Sequence, residues 1–349
     1  MNRLLKRGVP IGILSLILTM LVSSCQPSPP ANTNAPSPTA SPAASPTASP
    51  NASPGATPDA GKTGTRGPHC DDPPPANPAT CIPPIDQPFV VGCTMPFTGQ
   101  SHDIDLHCPN EGCAKKENDK AQNRIKNNFC SAGPAIQINT TSIDKLQATI
   151  DQMVQQGAFR YGQSAPDPAD RAKLHDLSTV DANGNPVLLG EGKLVTFEGF
   201  VLDAKHDDTY VLGSGPQGFG GEGVNCKNSL FDWNDIHVAL GESAGAEECS
   251  SVTAEISPHF RPALWDRFDS NSCTSLHVTN PLPIKGLRVR ITGQLFFDGS
   301  HTPGPCEGPH GVNSFPRRSV WEVHPAYAIE VFDLSKNKFV TLEEWAQGL

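Results

Sequence analysis

The chain has no Gly-x-Ser-x-Gly elbow, no His-Glu-x-x-His pair and no Cys/His nucleophile setting, so the common signatures of hydrolytic catalysis are missing. Long apolar runs are missing too. Beyond Val22 none is long enough to cross a bilayer as a helix, so no further transmembrane helix is expected. Basic charge is the third deficit. The 349 residues hold 26 Lys+Arg against 36 Asp+Glu, and removing Arg3, Lys6 and Arg7 with the first 24 residues leaves 23 against 36, a formal charge of −13. Nucleic acid and anionic lipid surfaces both need a basic patch, so neither is expected as a partner.

What is present begins with a short basic segment and an apolar run from Val9 to Val22, followed by Ser23-Ser24-Cys25. A charged start, an apolar core too short to span and small residues before a cut form a secretory signal over residues 1–24. The stretch Val22-Ser23-Ser24-Cys25 resembles the lipobox of bacterial lipoproteins. The resemblance implies a diacylglycerol on the Cys25 thiol, an acylated mature N-terminus and a membrane as partner. More than one acyl chain makes such an anchor stable. Gln26 lacks the acidic character associated with inner-membrane retention, which favours the outer membrane or the cell surface.

Residues 25–87 continue as a Pro/Ser/Ala/Thr tract with almost no large apolar side chains, expected to be a disordered tether. As a coil it would span roughly 45 Å, and more where proline stiffens it. Ten cysteines besides Cys25 read as disulfides in an exported chain. Five bridges allow on the order of a thousand connectivities. Cys70 with Cys81, Cys226 with Cys249, and Cys273 with Cys306 are the expected pairs.

The expected fold class is α+β. A disulfide-rich helical module over residues 88–189 would precede a barrel over 190–332, with residues 333–349 forming a loop and terminal helix. Lys116–Phe129 carries Ala121, Ile125 and Phe129 on one helical face. A second helix is capped by Thr141 or Ser142, with Ile143, Leu146, Ile150, Met153 and Val154 as its stripe. A third starts at Asp167-Pro168. From Lys193 the pattern alternates as strands, and Gly199 and Gly293 fall where the phase of two long strands is expected to change. The repeats Val-Thr-Phe-Glu-Gly-Phe-Val and Val-Arg-Ile-Thr-Gly-Gln-Leu resemble the curved strands of an OB-fold, which implies an antiparallel barrel. The segments Asn234–Leu240, Gly293–Asp298 leading to His301, and Trp321–Pro325 are similar to a group of uncharacterised exported bacterial domains, a likeness that carries no activity.

Four places invite a chemical reading. If Ile236, Val238 and Leu240 face inward, alternation sends Asp235 and His237 outward, and Glu322 and His324 likewise on the last strand. Such an Asp/His/Glu/His set could hold a divalent metal or run acid–base chemistry; its plain alternative is a polar face packed on the helical module. His301 and His310 lie in the preceding loop. Asp103, Asp105 and His107 would align on one face of an extended segment, and Cys108 and Cys113 beside them could suggest zinc, although outside the cytoplasm a disulfide is the stronger expectation for the two thiols. Gly213–Gly218 spells a dinucleotide fingerprint but runs into Phe219–Gly223, which cannot start a helix.

The last place is the C-terminus. Asp333, Ser335, Asn337, Phe339, Thr341 and Glu344 stand at the ligand positions of a segment that resembles an EF-hand calcium loop, though Lys338 replaces the turn glycine. Only two of these ligands are charged, so the implied calcium site is weak. The alternative is a helix N-terminus capped by Thr341 with Glu344. The resulting expectation is a lipid-anchored binding or interaction module on the bacterial cell envelope, directed at an envelope or extracellular ligand. The rival is a metal-dependent hydrolase using Asp235, His237, Glu322 and His324.

Overall fold

The computed structural model describes residues 81, 85–207, 222–227, 231–271, 278–304, 306 and 314–349. Cys25, Cys70, Cys273, His310 and the Gly213–Gly218 segment lie outside them. The described residues before Leu189 carry four helices: α1 (Asp103–His107), α2 (Glu117–Lys126), α3 (Thr140–Gln155) and α4 (Pro168–Arg171). A strand, β1 (Ile136–Ile138), and a hairpin of β2 (Leu177–Val180) and β3 (Pro186–Leu189) accompany them. The cap of α3 is Asn139, ahead of the expected Thr141 or Ser142. Its side chain accepts from the Ser142 N–H, and its own N–H donates to the Ser142 hydroxyl. Ile143, Leu146 and Ile150 are buried as the stripe required, while Val154 is exposed. Asp167 caps α4 with Pro168 in the first turn.

The second half closes a five-stranded barrel from β4 (Leu194–His206), β5 (Ile236–Gly241), β6 (Val252–Ile256), β7 (Arg288–Phe297) and, past a short pair β8 (Thr302–Gly304) and β9 (Ser314–Pro316), β10 (Trp321–Asp333). The circuit is β4–β5–β6–β10–β7–β4. This is the expected OB-like barrel, with one seam, β6 to β10, parallel, so the barrel is mixed. β1 adds parallel to β4. β11 (Lys338–Thr341) folds back antiparallel on β10 and leads into α5 (Leu342–Ala346). Ile143, Leu146 and Ile150 of α3 share one core with Val195, Ile236, Ile291, Trp321 and Val323 of the barrel, so helix and barrel bury their apolar faces together. Among the described residues no helix is long and apolar enough to cross a membrane.

Three expectations about strands and staples need correction. Gly199 does not change the phase of β4: Val195, Phe197, Gly199 and Val201 all face in, and the register shift falls between Val201 and Asp203. Gly293 also keeps phase, with Leu295 and Phe297 continuing into the core. Both glycines mark close approach. A Cβ on Gly293 would stand 2.4 Å from the Pro325 carbonyl oxygen, and one on Gly199 would stand 3.1 Å from that of Gly241. The disulfides differ as well. Cys226 joins Cys108 and not Cys249, and Cys249 joins Cys306, which therefore does not pair with Cys273. Cys81 joins Cys113 and not Cys70, and Cys93 joins Cys130. Cys108–Cys226 ties the helical segment to the turn before β5, parts of the chain that only the completed fold brings together. Four disulfides fit an oxidising compartment outside the cytoplasm.

Asp103, Asp105 and His107 form a helical turn where an extended segment was expected. Asp105 turns inward, while His107 Nδ1 meets Asp86 at 2.6 Å. Asp105 Oδ1 accepts a hydrogen bond from His259 Nδ1 at 2.8 Å with both side chains buried, which fastens α1 to the loop after β6. Burial pushes the His259 pKa below its ordinary value despite the opposing pull of Asp105. The folded form therefore keeps His259 neutral, while the unfolded chain protonates below about pH 6.5. Its contribution is present above that pH and is lost as pH falls. From about pH 7 down to about pH 5 the denaturant midpoint of the wild type should fall relative to that of His259→Gln; a constant difference between the two would remove His259 as the titrating group.

Candidate metal centre

The strands β5, β6 and β10 lie side by side, and their inward residues Ile236, Val238, Val252, Ala254, Ile256 and Val323 belong to the core. Alternation then sets His237 and Glu255 on the other face, directly opposite each other across β5 and β6. β10 runs beside β6 with Glu322 opposite Thr253 and Val323 opposite Ala254, and that register carried one residue further brings His324 beside Glu255. Asp235, one residue ahead of β5, completes the group. The structure brings together all four of the residues expected from alternation, and adds Glu255.

This face is not open to solvent as expected. Asp235, Glu255, Glu322 and His324 are each at most 2% exposed, and the His237 side chain keeps 27%. The cover is α2 and the turn at residues 222–227. The helix buries Gln122, Asn123 and Lys126, while Ala121 and Ile125 of the expected apolar face are only half-buried. A charged surface beneath the helix explains the reversal. Lys126 Nζ lies 2.8 Å from Glu222 Oε2 and 3.6 Å from Glu255 Oε2. The alternative of a polar face packed on the helical segment is therefore realised in part, through Lys126.

Asp235 and Glu322 each have one oxygen held and one left over. Asn225 Nδ2 donates to Asp235 Oδ2 at 3.1 Å, and Arg317 donates to Glu322 Oε1. Arg317 also donates to Asp298 Oδ2 at 2.8 Å, and that oxygen contacts His301 as well. The remaining atoms, Asp235 Oδ1, Glu255 Oε2, Glu322 Oε2, His237 Nε2 and His324 Nδ1, are buried and make no hydrogen bond. His324 Nδ1 stands 2.5 Å from Glu255 Oε2, yet not at an angle that makes a hydrogen bond. Asp235, His237 and Glu255 offer donor atoms all within 4.8 Å of one another, and so do Glu255, Glu322 and His324. Carboxylate and imidazole donors of this kind, backed by hydrogen-bonded neighbours, are the make-up of a divalent metal site.

Charge leads to the same place. Among the described residues, the permanent cations paired with Glu222, Glu255, Glu322 and Asp298 are Lys126 and Arg317, with Arg171 acting on Asp298 from further off. A buried excess of negative charge has to be met by protons or by further cations. Burial pushes Asp235 up to about 7. Burial alone would lower His324, but Glu255, Glu322 and Asp235 outweigh it and hold it at about 10. Burial would raise Glu255, yet Lys126, His237 and His324 keep it well below the usual carboxylate range. A dication would take over the work of these protons.

The other candidate places resolve differently. Cys108 and Cys113 are spent in disulfides, apart from the neighbouring acids. Arg288 and Arg290 lie on a separate outer face, pairing with Glu198 and Glu330 and stacking on Phe339. At the C-terminus, Asp333, Ser335 and Asn337 belong to the β10–β11 hairpin turn, and Asn337 takes the left-handed conformation. Phe339 lies on β11, its ring against Phe332. Asp333 Oδ1 accepts from the Ser335 hydroxyl and N–H, which holds its pKa down at about 2. Lys336 Nζ bridges the two charged ligands of the implied calcium loop, at 3.2 Å from Asp333 Oδ2 and 2.9 Å from Glu344 Oε1, and Thr341 caps α5 through the Glu344 N–H.

No family model, no curated protein and no solved structure matches the chain. The site therefore has to be read from its own geometry. Glu255 was missed in sequence although the signal was there: Val252, Ala254 and Ile256 alternate inward, which sends Glu255 to the face that His237 occupies. Glu222, Asn225 and Lys126 carried no comparable signal, because they arrive from a turn and from a helix.

With its ammonium between Asp333 and Glu344, Lys336 occupies the role a calcium ion would take. Trp345 fluorescence should stay flat in the wild type up to millimolar calcium and respond in Lys336→Ala. A wild-type response would show that the ammonium yields to the ion.

Proposed function

We propose that this is an extracytoplasmic, lipid-anchored binding protein whose ligand at the barrel face is a divalent first-row metal ion. One observation carries the reading: five buried donor atoms from Asp235, His237, Glu255, Glu322 and His324 converge without hydrogen bonds to one another. Buried polar atoms that make no hydrogen bond are costly, of order 1–3 kcal/mol for each group, and here the Glu255–His324 ion pair offsets only part of that cost. Coordination relieves that cost. The mixture of imidazole and carboxylate suits zinc or manganese better than calcium or magnesium, which take oxygen alone. Binding is favoured over turnover because Glu255, Glu322 and His324 turn almost no surface to solvent.

The anchor in this reading is the acylated Cys25, with residues 25–87 as the tether, both outside the described residues. It rests on the lipobox and on the disulfides, which require an oxidising compartment. The partners are then the membrane, through lipid, and the metal.

Elemental analysis of the full chain purified in detergent should find zinc or manganese in at least equimolar amount. The metal should be lost from His324→Ala and from Glu255→Gln, and chelation should lower the melting temperature of the wild type. A protein that carries no such metal, takes none up and is indifferent to chelator would overturn the reading. For the anchor, Cys25→Ser should move the protein from the detergent phase to the aqueous phase on phase partition; unchanged partition would refute lipidation there.

A further inference from the structure

Glu255 has a position that no other donor in the cluster shares. It stands between His237 on one neighbouring strand and His324 on the other, and its two oxygens part company. Oε1 lies 3.6 Å from His237 Nε2, whereas Oε2 lies 2.5 Å from His324 Nδ1. The donors around it fall into two groups, Asp235, His237 and Glu255 on one side and Glu255, Glu322 and His324 on the other. Each group lies within 4.8 Å, and only Glu255 belongs to both. Metal–ligand bonds of about 2.0–2.2 Å let one ion reach the members of one such group, but not all five residues at once.

We propose that the site holds two divalent cations, one in each group, with the Glu255 carboxylate bridging them. This rests on the metal-binding reading above and specifies its stoichiometry. Paired metal ions lie about 3.5–4 Å apart, a span that a carboxylate bridges by giving one oxygen to each. Each half also has its own outer support: Asn225 holds Asp235 on one side, and Arg317 holds Glu322 on the other. Outer partners of this kind aim a carboxylate's second oxygen at the metal. The side chains of Asp235, Glu255, Glu322 and His324 are all more than nine-tenths buried, and each points a non-hydrogen-bonded atom into its group. Charge fits as well. Two dications with Lys126 and Arg317 balance Asp235, Glu222, Glu255, Glu322 and Asp298 to within one unit.

Manganese is the probe, because two bridged ions and two isolated ones differ in their electron paramagnetic resonance. The full chain in detergent, stripped with chelator, is titrated with manganese. The expected result is two equivalents bound and a spectrum broadened and split by exchange between the ions. His237→Ala and His324→Ala should each leave one equivalent with the six-line pattern of an isolated ion. One equivalent in the wild type, with that six-line pattern, overturns the paired site and leaves the metal-binding reading standing. Two equivalents with no exchange overturn the Glu255 bridge. No binding at all, in a protein that also carries no metal as purified, overturns both. The wild-type stoichiometry and spectrum decide the matter even where a variant fails to fold.

Discussion

A buried ammonium holds helix and barrel together on their charged side. Lys126 reaches from α2 into a nest of carboxylates and meets Glu222 and Glu255 there, with its own pKa raised well above the usual lysine value in spite of burial. Removing an ammonium from water costs several kcal/mol even after relaxation, and only good ion-pair geometry offsets it. The arrangement therefore makes sense as a way of closing a charged surface, not as an economical way of packing a helix. Gln122 and Asn123 support this view. They are buried beside Lys126 and are spent on hydrogen bonds to Ser300 and to the Glu111 carbonyl, where a packing helix would bring leucines.

The molecule consequently has two interfaces of opposite chemistry. On one side α3 drives Ile143, Leu146 and Ile150 into the same core as the barrel strands. On the other, α2 and the turn at residues 222–227 cover polar residues with polar residues. The apolar side supplies stability by burial. The polar side supplies position, since hydrogen bonds and ion pairs are directional where dispersion is not. Arg171 extends the polar layer, pairing with the buried Glu191 and donating to Gln122. The Phe296 ring lies among Lys126, Arg171 and His324.

Much of the barrel could be read from alternation. The inward sets of β4, β5, β7 and β10, and the four polar residues Asp235, His237, Glu322 and His324, follow from a period of two. Glycine misled for a physical reason. Its lack of a side chain signals either a bend or a close neighbour, and sequence cannot tell Gly293 near the Pro325 carbonyl from a bulge. The apolar face of α2 misled because helical periodicity assumes an apolar floor, and the floor here is charged. The disulfides were illegible because Cys108 and Cys226 are 118 residues apart, and their meeting depends on the completed fold. Burial of the polar face could not be foreseen either, since nothing local in β10 says that a helix will lie over it.

The Cys108–Cys226 bond has one further effect. Cys226 closes the turn that carries both Glu222 and Asn225, the residues that hold Lys126 and Asp235 in place. Thiols stay reduced in the cytosol and become linked only after export. A nascent copy still inside the cell therefore lacks the staple that sets these two side chains, and the donor geometry is completed only on the far side of the membrane. Oxidation thereby acts as a timing device: the last constraint on the buried carboxylate cluster is set by the compartment and not by the chain alone.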